Sequence, residues 1–196
     1  EALKEYKNKK DVIVLGIPRG GVEVAFNIAK TLKVPLSIIV TKKIGHPFES
    51  EFAIGAVSPG NYIVDERYSN EAGEDYIENT VKEMNAEIKR RYKEYTQGKL
   101  PQLKNKIVII VDDGLATGYT MFAAVKYAKS QNPKKVIVAI PVSAQDSFEK
   151  VKEIADEVIC LHTPIFFHAV GAFYQDFAQL EDEEVKFYLE EARKYC

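Results

Sequence analysis

The sequence predicts an α/β fold, a parallel β-sheet with flanking helices. Two observations carry this expectation. The strand-like runs are continuously apolar rather than alternating, as strands covered on both faces must be. They also alternate with segments of helical period, the order that winds a parallel sheet. Val12–Gly16 is the first such run. From Val22 to Leu32 the period turns helical, with Val22, Ala25, Phe26, Ala29 and Leu32 on one face. Leu36–Val40 is a second strand. Between Thr41 and Asn105 a long polar insertion replaces a simple crossover helix. It holds short apolar pieces, Ala53–Val57 and Tyr62–Val64. A long helix from about Glu74 to Tyr95 follows, marked by Ile77, Val81, Met84, Ile88, Tyr92 and Tyr95. Lys89, Arg90 and Arg91 read as its solvated basic edge. Ile107–Val111 is the strongest strand, Thr117–Gln131 its helix and Val136–Ile140 the next strand. Ser143 and Asp146 read as a capping box for a helix ending near Ala155. Val158–Leu161 is a fifth strand, and Glu181–Lys194 a helix running from acidic to basic, as the macrodipole favours.

Composition bounds the function. A length of 196 residues is read as a single domain, 1–196, with 41–105 an inserted loop and helix region and 162–196 a C-terminal region. Hydrophobic residues make up 46% and charged residues 29%, which excludes a disordered chain. Twenty-seven basic against 29 acidic residues leave a net charge of −2, so no global field favours nucleic acid or an anionic membrane. No run approaches the ~18 apolar residues of a membrane span. Glu1–Glu5 has no signal-peptide core, and a cytoplasmic location is expected. The first residue is not Met, which points to processing or to a start upstream. Two cysteines, Cys160 and Cys196, form no disulfide framework, and no Cys/His spacing suggests zinc.

The chemistry concentrates in Ile107-Val108-Ile109-Ile110-Val111-Asp112-Asp113-Gly114-Leu115-Ala116-Thr117-Gly118-Tyr119-Thr120. A buried strand ends in two adjacent carboxylates. A turn with one glycine and two threonines then opens a helix. In open α/β sheets ligands bind at the carboxyl ends of strands. The turn Ala116–Thr120 can aim backbone N–H groups and two hydroxyls at one point beside a positive helix end, a phosphate cradle. It is not a P-loop, because no Lys follows Gly118. Carboxylates repel phosphate, so the pair suits a ligand that carries hydroxyls beside its phosphate or brings a divalent cation.

This run resembles the signature of the type I phosphoribosyltransferases, which bind 5-phosphoribosyl-1-pyrophosphate (PRPP). The resemblance implies that Asp112 and Asp113 hold the ribose hydroxyls, and that Ala116, Thr117, Gly118, Tyr119 and Thr120 bind the 5-phosphate. Gly16-Ile17-Pro18-Arg19-Gly20-Gly21-Val22 is similar to the family's pyrophosphate loop. There Arg19 is the natural bidentate partner for a diphosphate and Gly20 allows close backbone approach. A cis peptide at Pro18–Arg19 is expected by analogy. Lys43 or Lys42 stands where the family places a basic residue facing PRPP, with a solvated lysine pair as the alternative. The insertion occupies the place of the family's mobile loop. Its Lys-Ile-Gly and Glu51-x-Ala53-Ile54-Gly55-Ala56-Val57 are shared with a little-characterised subgroup, and Glu51 reads equally as a site or a turn residue.

Pro164–Phe177 is similar to the family's nucleobase hood. It places His168 at the stacking position and Val170 beside it; the alternative makes Phe166, Phe167, Phe173 and Phe177 core. Two departures stand out. Ala116 replaces the Asp that 6-oxopurine enzymes usually carry, and an N-terminal helix common in the subgroup is short or missing. The resemblance implies transfer of a phosphoribosyl group to a nucleobase-like acceptor with release of pyrophosphate. It further implies Mg²⁺, reached indirectly by Asp112 and Asp113, and a homodimer. A PRPP-binding regulator without transfer is the alternative, and a metal-dependent nucleotide hydrolase a weaker one.

Overall fold

The computed structural model describes residues 1–195. Cys196 and the Glu51 side chain lie outside the described residues. After a short turn at Lys4–Tyr6 come β1 (Val12–Gly16), α1 (Gly20–Leu32) and β2 (Leu36–Ile38). The chain continues through β3 (Lys42–His46), β4 (Glu49–Ser58), β5 (Asn61–Val64), α2 (Glu66–Ala72) and α3 (Glu74–Thr96). It then returns through β6 (Ile107–Val111), α4 (Tyr119–Ser130), β7 (Lys135–Val142), α5 (Gln145–Ile154), β8 (Glu157–His162) and α6 (Asp182–Ala192).

The main sheet has the order β2-β1-β6-β7-β8, and all its pairings are parallel. Because successive side chains alternate faces, β1 and β6 supply both layers. Val12, Val14, Ile109 and Val111 pack with Ala25, Ala29 and Leu32 of α1. Leu15, Val108 and Ile110 pack with Met121, Ala124 and Val125 of α4. Burial on both faces is why these strands read as unbroken apolar runs.

The chain goes to one side of β1 with β2 and to the other with β6. The C-terminal ends of β1 and β6 therefore form a topological switch point, where the crevice of an open α/β sheet opens.

The insertion forms a second, antiparallel sheet of order β3-β4-β5. Its core (Ile44, Ile54, Val57) joins Ile77, Ile88, Tyr92 and Tyr95 of α3 and Val185 and Leu189 of α6. The short apolar pieces are thus strands of a folded module.

Several local expectations are corrected. β2 stops at Ile38, and two residues later the Val40 N–H donates to the Tyr92 hydroxyl of α3 (3.1 Å). The helix after β6 begins at Tyr119 rather than Thr117, because the preceding turn is tied to β7: Leu115 N–H donates to Val142 C=O and Ala144 N–H to Leu115 C=O. Ser143 does not cap α5. Its N–H continues the sheet to His162 C=O, and Ala144 takes the N-cap position. Phe166, Phe173 and Phe177 are not core; Phe166 is 79% exposed.

Tyr92→Phe would leave the buried Val40 N–H without its acceptor. The expected loss is about 1–3 kcal/mol, read as a lowered midpoint in urea unfolding with an unchanged slope.

Candidate active site

Parallel pairing of β1 with β6 sets Gly16 against Val111, so the loops that leave both strands start at one edge. These loops are in contact. A Cβ on Gly20 would lie 2.0 Å from Asp113 Oδ2, and one on Gly21 2.8 Å from Asp112 Cα. Only residues without a Cβ let the two turns approach this closely. The Pro18–Arg19 bond is cis.

Asp112 Oδ1 accepts the Asp113 N–H at 2.9 Å. Both aspartates remain partly exposed, so a ligand can reach them, yet protein packs densely around them. Burial first, then the Asp113 charge, pushes the Asp112 carboxyl well above the usual range. Burial pushes Asp113 up as well. A pair that resists carrying two charges is suited to accepting hydrogen bonds from hydroxyls, or to a cation that arrives with a ligand. Among the described residues no three His, Cys, Asp or Glu side chains are grouped to hold a metal.

Past the carboxylates, Ala116 and Thr117 are exposed and Gly118 forms the N-cap of α4. Gly118 offers no side-chain cap, so the first-turn N–H groups of α4 point outward without intrahelical partners, beside the Thr117 and Thr120 hydroxyls. Ser147 from α5 braces this turn by donating to Ala116 C=O (2.5 Å). The Tyr119 hydroxyl donates to Asp65 at the start of α2 (3.1 Å). The Arg67 guanidinium, hydrogen-bonded to Asp65, holds that carboxyl far below the usual range. The insertion is thereby fastened to the phosphate-type turn itself.

On the other side of the crevice, the Arg19 side chain is 21% exposed. Lys42 and Lys43 open β3, and strand alternation sends them to opposite faces. Lys43 is exposed. Lys42 is half-buried, and burial first, then Arg91 and more weakly Arg19, pushes its ammonium below the usual lysine range. Lys42 thus lies on the Arg19 side.

The C-terminal region lies over the acidic turn. The Tyr174 hydroxyl donates to Asp113 C=O (2.6 Å), and the Val170 methyls lie 2.7 and 2.9 Å from a Cβ position on Gly114. His168 is exposed. Its neighbour Phe167 stacks on Phe173, with centroids 5.7 Å apart, and lines a cleft of about 450 Å³. Ala116 and Thr117 form one wall of that cleft, Phe52, Arg67 and Tyr68 of the insertion another. Sequence reasoning missed Phe167 as a lining residue and Tyr174, Ser147 and Asp65 as anchors. Their roles depend on contacts across 31 to 61 positions, with no local motif to mark them.

Comparison with known proteins gives concordant results. A family profile described as the phosphoribosyl transferase domain matches residues 1–177. In two strains of Mycobacterium tuberculosis, a protein provisionally named a phosphoribosyl transferase is 39% identical over 193 residues. That match takes in 94% of this chain and 43% of the mycobacterial one, so the chain spans less than half the length of these curated relatives. The crystal structure of the protein TT1426 from Thermus thermophilus superposes with a TM-score of 0.80 at 36% identity, covering 97% of this chain and 91% of that one.

The raised Asp112 value has a consequence for stability. A raised carboxyl makes the folded state bind more protons, so stability falls as pH climbs from the unfolded value of about 4 through the folded one. Asp112→Asn still offers Oδ1 to the Asp113 N–H and removes a charge. Without ligand it is expected to be more stable than wild type by about 1–2 kcal/mol at pH 8, with a smaller gap at pH 5, in urea unfolding at both pH values.

Proposed function

The chain belongs to the phosphoribosyl transferase domain family, and from that premise we propose that it moves the 5-phosphoribosyl group of PRPP to a nucleobase-like acceptor, releasing pyrophosphate. One observation carries the reading. At the switch point the acidic turn and the Arg19–Gly20 loop abut, which supports a reading in which one crevice takes a diol, a phosphate and a diphosphate.

In this reading Asp112 and Asp113 accept hydrogen bonds from the ribose hydroxyls. The turn Ala116–Thr120 receives the 5-phosphate through first-turn N–H groups and the Thr117 and Thr120 hydroxyls. Arg19, the Gly20 backbone and a lysine of the Lys42–Lys43 pair take the diphosphate. The acceptor lies in the cleft between Phe167 and Ala116, with no carboxylate from position 116 to select an oxopurine. An acceptor nitrogen attacks C1 as the C1–O bond to the diphosphate breaks, pyrophosphate leaves with the bonding electrons, and the proton of the acceptor N–H is released to water.

Positive charge develops at C1 and the ribose oxygen, so the protein's contribution is alignment plus fixed negative charge beneath the sugar. Mg²⁺ arriving with the diphosphate would supply charge neutralisation, and Asp112 and Asp113 are the carboxylates that would hold it indirectly, through ribose hydroxyls or water. A homodimer belongs to the same reading.

The test is pyrophosphate release from PRPP and Mg²⁺ with a panel of nucleobases. Release with at least one base is expected, and Asp113→Asn should lower kcat/KM by about a hundredfold or more. PRPP binding without release would favour a non-catalytic regulator. A melting shift with nucleoside triphosphates and none with PRPP would overturn the reading.

A further inference from the structure

The Arg19 guanidinium does not point to empty solvent. Its Nη1 lies 3.7 Å from Glu181 and 3.8 Å from Asp182, at the start of α6. Those separations exceed hydrogen-bond length, so the guanidinium donors remain open to a closer anion. The same Asp182 oxygen accepts the Tyr95 hydroxyl of α3 at 2.5 Å. Arg91 sits one turn before Tyr95, its side chain only 15% exposed and its Nε donating to Glu87 (2.9 Å). The Tyr95 hydrogen bond first, then the charges of Arg91 and Arg19, hold the Asp182 carboxyl below the usual range.

Lys42 approaches the same cluster from β3 and has no ion-pair partner among the described residues. Beside it in sequence Thr41 is only 5% exposed, and its hydroxyl makes no hydrogen bond. Arg19, Arg91 and Lys42 come from three elements; Glu181, Asp182 and Glu87 offset only part of their charge, which leaves the cluster able to take up a multivalent anion.

We propose that Arg91 and Lys42 join Arg19 in a three-cation seat for the diphosphate of the substrate, and that Asp182 is the internal counter-ion from which Arg19 swings when the diphosphate arrives. This rests on the phosphoribosyl-transfer reading and deepens it. Arg91 lies on the insertion, so filling the seat ties the inserted module to the main sheet through the ligand. Asp182 keeps Arg19 oriented toward the seat while the site is empty and competes with the incoming anion.

The experiment is calorimetric titration of the full chain with inorganic pyrophosphate plus Mg²⁺ and, separately, with ribose 5-phosphate. Wild type is expected to bind both. Arg91→Met should weaken pyrophosphate by about tenfold or more and leave ribose 5-phosphate within about twofold, since that ligand uses the other seat. Arg91→Lys should recover most of the loss, and Asp182→Asn, which can still accept from Tyr95, should bind pyrophosphate more tightly than wild type. Should Arg91→Met fold poorly, Lys42→Met reads the same loss. Wild-type pyrophosphate affinity in Arg91→Met, or equal weakening of both ligands, overturns the seat while leaving phosphoribosyl transfer standing. A wild-type chain that binds neither ligand overturns both.

Discussion

The parallel pairing of β1 with β6 is the constraint on which the site depends. It brings two strand ends to one edge at the place where the chain reverses its direction of winding. Two turns leaving adjacent strands must then share a space about one strand spacing wide, roughly 4.8 Å. Gly20 and Gly21 make that possible, because the aspartate turn already occupies the positions their side chains would take. Acidic and cation-bearing loops are pressed together by backbone geometry, and the C-terminal region packs on the acidic turn through Tyr174 and Val170.

The charge distribution follows from this crowding. A net charge of −2 conceals a strong local separation. On one side stand two carboxylates that burial disfavours as anions. On the other, burial first and then the charges of Arg91 and, more weakly, Arg19 push the Lys42 ammonium below the usual lysine range. Neither cluster is how a chain optimised for stability alone would arrange its buried polar groups. Acidic residues at the start of α6 offset part of the repulsion, and that helix also packs Val185 and Leu189 into the insertion's core. The C-terminal helix thus contributes packing and electrostatics at once.

The insertion is a folded body with its own sheet and a 23-residue helix, anchored at two points of the crevice. The Tyr92 hydroxyl holds the strand end at Val40, and Asp65 receives Tyr119 from the phosphate-type turn. A module fixed to both sides of a crevice shapes its walls. Phe52, Arg67 and Tyr68 accordingly line the cleft together with Phe167 of the C-terminal region. The good superposition on the Thermus structure, covering 97% of this chain, includes this region.

The main-sheet strands and the helices around them were legible because their signals are local: unbroken β-branched runs, helical period and glycines at strand ends. The runs Val12–Gly16 and Ile107–Val111 are strands with those bounds, and the long helix of the insertion ends within one residue of its expected limit. The acidic pair and the glycine turn were legible for the same reason, since their chemistry lies in contiguous residues. What only the tertiary structure decided involves contacts between distant positions. It paired β3, β4 and β5, because antiparallel register in a half-polar segment is set by what the strands pack against. It left Lys43 exposed and Lys42 half-buried on the opposite face of β3, since face selection along a strand depends on what packs against it. It set Phe167 on the cleft, and it brought Arg19 and Arg91, 72 positions apart, to one carboxylate, that of Asp182. Sequence determines which groups can do chemistry wherever they are neighbours along the chain; the fold decides which strangers along the chain become neighbours in space, because long-range packing and burial, rather than local propensity, select those contacts.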